Sequence, residues 1–139
     1  MKRLTNPCML LALAFLCAAS LGCGMRQSAS GLNIIPVSSL ATIAGDWEGL
    51  SKTVPEMRDD ARVMLLIREK GFFHFISDRG TEMLVGTGTL TILQGTVLAN
   101  GHRGAAMLTL HDRAGAPVMV VQVALKDGHH YYLEMTRLK

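Results

Sequence analysis

The side chains with the most chemistry to offer are one thiol and five imidazoles. Cys23 ends an almost wholly apolar run, residues 9–21, and directly follows the small residue Gly22. Lys2 and Arg3 stand ahead of that run. A positive start, a short apolar core and a small-residue cleavage point are the parts of an export signal. The core spans 13 residues, short of the roughly 20 that a helix needs to cross a bilayer. The imidazoles, His74, His102, His111, His129 and His130, all lie beyond Cys23. A zinc or copper site needs three or four converging donors. Adjacent His129 and His130 face opposite sides of a strand, so they do not readily share an ion. His111 and His129 could approach if their strands pair, and they are the candidate ligand-rim or metal residues. No ligand spacing among them is diagnostic, and no metal or other cofactor is assigned. Glu56, Asp59 and Asp60 form an acidic cluster, but Arg58 and Arg62 interleave it. A solvated loop explains it better than calcium, which takes six or more oxygens around a defined turn. No Gly-x-Ser-x-Gly elbow is present, no catalytic residue is assigned, and the chain reads as a non-enzyme. Met64, Met83, Met107, Met119 and Met135 fall in strands and read as adaptable core filler.

The segment Ala19-Ser20-Leu21-Gly22-Cys23 resembles the lipobox of bacterial lipoproteins. That resemblance implies a diacylglycerol on the Cys23 sulfur, cleavage before Cys23 and acylation of the new amine. Ser20 stands where leucine is commonest in that motif. An ordinary cut after Ser20 is the alternative. Two or three acyl chains hold a protein firmly on a membrane without crossing it. Gly24 stands where the family's inner-membrane retention signal has aspartate. The expected address is therefore the cell envelope, and the outer membrane in a bacterium with two membranes.

Residues 1–22 are then a signal peptide, 23–44 an anchor and tether, and 45–139 a domain. From Cys23 onward 117 residues remain, enough for one small domain with a modest core. Cys8, Cys17 and Cys23 are the only cysteines. Two leave with the signal and the third carries lipid, so no disulfide is expected in the exported domain. Setting Lys2 and Arg3 aside leaves 12 basic residues against 11 acidic ones. No basic stretch with interleaved aromatics remains, and nucleic acid is not an expected partner.

Beyond Cys23 the first 20 or so residues are rich in Ser, Ala and Gly and read as a flexible tether. The part from Ile34 to Ile43 is more apolar and could form a short helix or turn closing the domain. From Asp46 onward, short strands alternate with turn residues. The expected strands are 47–52, 61–68, 72–77, 81–93, 96–102, 105–111, 117–126 and 129–138, with residues 51–60 as a rim loop able to act as a lid. Such spacing predicts an all-β fold, an antiparallel up-and-down barrel or meander of about seven or eight strands. Most strands alternate apolar and polar residues, as half-wet strands do. Two do not: Val63-Met64-Leu65-Leu66-Ile67 and Val118-Met119-Val120-Val121 are apolar on both faces. In a single-layer barrel, the outer face of each needs a cover from residues 34–43 or from another protein.

Gly45-Asp46-Trp47-Glu48-Gly49 resembles the Gly-x-Trp start of lipocalins and related small barrels. The resemblance implies a structural tryptophan, Trp47, at the closed end of a lipocalin-like barrel, with a late arginine packed over it. Arg137 in the last strand could be that arginine. The likeness covers 95 residues, but a full lipocalin is longer and ends in a helix, and its later Thr-Asp-x-Tyr element is not visible. The expected function is a lipid-anchored interaction or accessory module of the envelope. The alternative is a binding protein for a small apolar ligand or lipid, with space left by Gly86, Gly88, Ala99 and Ala106.

Overall fold

The structure, a computed structural model, describes residues 32–78 and 86–139. The signal and the lipidation candidate Cys23 lie outside the described residues. The chain forms β1 (Asn33–Ile35), α1 (Leu40–Ile43), β2 (Gly45–Thr53), β3 (Arg58–Arg68), β4 (Phe72–Ser77), β5 (Gly86–Leu93), β6 (Thr96–Gly101), β7 (Gly104–Arg113), β8 (Ala116–Leu125) and β9 (His130–Arg137). Strands β2 to β9 each pair antiparallel with their sequence neighbours. The ring closes where β2 meets β9, with Trp47 opposite Arg137 and Thr53 opposite Tyr131. The result is an eight-stranded up-and-down barrel with one added strand, as the spacing of short strands and turns predicts.

Turn chemistry sets the meander. Gln94-Gly95 and Ala114-Gly115 are two-residue connections with φ of 50°, 81°, 53° and 84°. Two positive φ values in a row match the right-handed twist of the flanking strands. Asp112 supports the second turn by accepting a 2.8 Å hydrogen bond from the Gly115 N–H. Strand alternation supplies the core. Val63, Leu65 and Ile67 of β3, Phe73 and Phe75 of β4, and Leu133 and Met135 of β9 all point inward and are buried.

The segment 34–43 is not free tether. Asn33, Ile34 and Ile35 pair with Asp112, His111 and Leu110 of β7, beyond the reach of β6. The Val37 N–H then bonds the Gly95 carbonyl at 2.8 Å, and α1 lays Ile43 into the end of the barrel, 1% exposed. The folded unit therefore starts near residue 31 rather than at 45. Burial of Val37 and Ile43 explains the difference.

Two local expectations change. Residues 51–60 are not a lid: β2 runs to Thr53, β3 starts at Arg58, and these two pair. Only a tight turn is left between them. The outer face of β8 also finds its cover at home. Val118 sits in register between His111 and Thr136, and Val120 between Thr109 and Glu134. Both valines are buried by these neighbours, at 3% and 7% exposed.

Candidate functional site

The two ends of the barrel differ. One end, called closed here, carries α1, the starts of β2 and β4 and the ends of β3, β5, β7 and β9. Trp47 sits there, fully buried. Its Nε1–H donates to the Ile43 carbonyl at 2.9 Å, tying the wall to the end of α1. Arg137 places its guanidinium 4.8 Å from the indole centroid and donates to the Thr42 carbonyl at 2.6 Å. One arginine thus stacks on the tryptophan and holds a carbonyl of the short helix, which has no further turn to satisfy it.

The other end is a mouth formed by the turns after β2, β6 and β8. A half-open cleft of about 40 Å³ enters the barrel there, lined mostly by small residues such as Gly86, Ala99, Gly104 and Ala106, with Phe75 and Val123. Gly88 does not line it. Gly88 lies beside a shallow hollow on the outer wall with Leu66, Phe72 and His74. A second surface hollow beside the mouth is lined by His102, Arg103 and Lys126. The Ser77 hydroxyl, inward-facing on β4, is buried without a hydrogen-bond partner among the described residues.

The most ordered polar arrangement is on the outer wall, where β7, β8 and β9 lie side by side. Arg113 reaches across β8 to Glu134 at 2.6 Å, and the Tyr132 hydroxyl donates to the other carboxylate oxygen at 3.0 Å. The Arg113 hydrogen bond, with help from Tyr132, holds the Glu134 carboxyl below the usual carboxylate range. Burial, and then the hydrogen bond to Glu134, push the Tyr132 phenol up to about 12. His111 shares a 2.9 Å hydrogen bond between Nε2 and Thr109 Oγ1, while its Nδ1 is buried and unpaired among the described residues. Burial lowers its pKa against the pull of Glu134. The group is a strap over Val118 and Val120.

His111 and His129 do not meet. His111 is opposite Val118 near the closed end. His129 lies past the far end of β8, in the turn at the mouth, where its Nδ1 contacts Asp127 at 3.0 Å. The two strands do not run side by side at those positions, because β8 separates β7 from β9. Among the described residues no group of three or more His, Cys, Asp or Glu could hold a metal ion. The strap escaped sequence reasoning because Arg113 and Glu134 are 21 residues apart. The available signal was the Ala114-Gly115 turn, whose register puts Arg113, His111 and Thr109 on the outer face of Val118 and Val120.

Comparison with protein-family models, with curated proteins and with solved structures returned no match.

Proposed function

We propose that this chain is a membrane-anchored lipoprotein, held by lipid on Cys23, whose barrel serves the cell envelope as a non-enzymatic interaction module. The observation that carries the second half is the packing of the lumen among the described residues. Among the described residues the inward faces of the strands pack against one another, the cleft that enters the barrel at the mouth has about 40 Å³, and a half-open hollow of about 340 Å³ lies at the rim beside Val54, Met57 and Tyr132. Ligand sites usually have roughly 300–1,000 Å³. A space of the cleft's size takes a water molecule or two, so the barrel offers its outside rather than its inside. The Trp47–Arg137 stack beside a short helix supports kinship with small lipocalin-like barrels. The first half rests on the lipobox-like run 19–23, and places the protein at the outer membrane if the bacterium has one.

The competing reading, cargo binding, has the mouth cleft in its favour. One experiment separates the two. The full chain is expressed in a bacterial host, extracted in mild detergent and weighed intact and under native conditions. The expected result is a mass above that of residues 23–139 by a diacylglyceryl and an acyl group, lost in Cys23→Ser, with no small apolar molecule retained. A bare peptide mass and recovery outside the membrane fraction would overturn the anchor. A stoichiometric bound lipid would favour cargo binding.

A further inference from the structure

We infer that the closed end of the barrel is a lipid-facing surface and that the mouth points away from the bilayer. This inference rests on the anchored reading above. The path of the chain is the first support. The first strand, β1, begins at Asn33 opposite Asp112, beside the β7–β8 turn that projects at the closed end. Residues 24–32 are all that separate Cys23 from it, and nine residues reach roughly 30 Å when fully extended. Their typical end-to-end distance is much shorter, about 15–18 Å for a flexible chain. A ten-residue strand such as β8, tilted as in small barrels, stands roughly 25 Å tall. Turning the mouth to the membrane would stretch the tether nearly straight along the whole wall. Keeping the closed end down leaves it relaxed.

The side chains at that end are the second support. Ile34, Phe72, Leu93 and Leu138 are 67%, 56%, 55% and 37% exposed. They stand at β1, the start of β4, the end of β5 and just past β9, so they are spread around the rim. Arg68, Lys70, Arg113 and Lys139 stand among them. Of the nearby acids, Glu69 is exposed between Arg68 and Lys70, Asp46 is contacted by Arg68 at 3.4 Å, Glu134 pairs with Arg113 at 2.6 Å and Asp112 supports the Gly115 turn. That leaves Lys70 and Lys139 as the cations with no ion pair shown among the described residues. Scattered exposed apolar residues are ordinary. Apolar side chains interleaved with long cations at the end where the chain enters suit the boundary between headgroups and acyl chains. Among the described residues, the mouth has Val54 and Met57 in one turn and Ile76 near the end of β4 as large exposed apolar groups, while Leu50 and Met107 stand on the wall between the two ends.

The test uses the full lipidated chain in vesicles of phosphatidylethanolamine and phosphatidylglycerol. Single fluorophores are attached at Phe72→Cys and Leu93→Cys for the closed end, and at Val54→Cys and Met57→Cys for the mouth. Quenching by headgroup-nitroxide lipid is expected to be at least threefold stronger at the closed end. Equal quenching, or stronger quenching at the mouth, overturns the inference. Amide exchange on the unsubstituted protein is an independent readout. Vesicles should slow the turns at 69–71 and 94–95 and leave those at 54–57 and 126–128 unchanged; the reverse pattern also overturns it. Intact mass reports the anchor separately. A protein without lipid whose closed-end labels are still quenched by vesicles sinks the anchored reading but keeps the surface, whereas one quenched nowhere sinks both.

Discussion

Trp47 and Arg137 show how two side chains can hold a barrel shut. The indole N–H satisfies a carbonyl of α1, and the guanidinium satisfies another while covering the ring. A cation over an indole contributes roughly 0.5–2 kcal/mol. Arg137→Ala is therefore expected to lose about 1–3 kcal/mol, since the Thr42 carbonyl also loses its donor. Trp47→Phe keeps the ring but orphans the Ile43 carbonyl and opens a gap, so a loss of about 2–3 kcal/mol is expected. Urea unfolding followed by circular dichroism would measure both, and unchanged midpoints would refute the stacking role. The strap on the outer wall sets a pH dependence. The folded values of Glu134 and His111 are depressed, so the unfolded chain takes up their protons first as pH falls. Their stabilising contributions are full above the unfolded values of roughly 4.3 and 6.5 and are lost below them. Tyr132 has the opposite sign. Its folded phenol is pushed up to about 12, so its contribution is full below roughly 10 and declines as pH rises through the folded value. Stability should therefore plateau between about pH 7 and 10 and fall on both sides. His111→Gln should flatten the acid limb just below about pH 6.5 without touching the alkaline one. Chemical denaturation across pH checks it, and an unaltered acid limb would rule His111 out.

At the scale of elements, legibility depended on whether a strand had one wet face. β4 matches its predicted bounds, residues 72–77, because Phe-Phe-His-Phe-Ile-Ser alternates between a buried and an exposed face and glycines lie nearby on either side. β8 was visible as a strand, but its inward face was not, because four apolar residues in a row carry no period of two. Only the register with β7 and β9 shows that Met119 and Val121 point in while Val118 and Val120 lie under the strap. β1 has three residues and no pattern to read; its pairing exists because β7 outruns β6. The four-residue helix α1 is likewise a product of docking, since so short a segment has little helical stability of its own. Glycines at strand bends were legible as spaces, though not as contacts. A Cβ at Gly88 would run into the Asn100 backbone carbonyl on β6. Gly88 thus lets two strands approach where the wall coils, as glycines at barrel bends do. Gly88→Ala is expected to cost more than about 2 kcal/mol, well above the tenths typical of an exposed wall position. A control at Thr89, which faces outward, should show that difference in thermal melts. Equal effects at the two sites would mean that the close approach is not needed.

For the whole molecule, the decisive quantity is how much of the lumen is side chain. An eight-stranded barrel encloses either a packed core or one small ligand, and the inward residues decide which. Here Phe73 and Phe75 meet edge to face, with centroids 5.5 Å apart, and fill the upper lumen below the mouth. Phe75 also lines the cleft of about 40 Å³, so it marks the border between core and opening. Phe75→Ala would enlarge that cleft by about the volume of a ring. The expected cost is roughly 3–5 kcal/mol, the sum of lost transfer energy and the cavity left behind. An apolar cavity of about 150 Å³ is large enough for benzene. The variant should therefore gain melting temperature with added benzene, by the mass action of a ligand that binds only the folded state. Among the described residues the unsubstituted barrel has only the cleft of about 40 Å³ inside it, and its melting temperature should not rise. A rise in the unsubstituted protein would mean that the lumen opens to cargo. A variant that loses stability without any rescue would mean that the wall collapses onto the gap and that the lumen cannot be held empty.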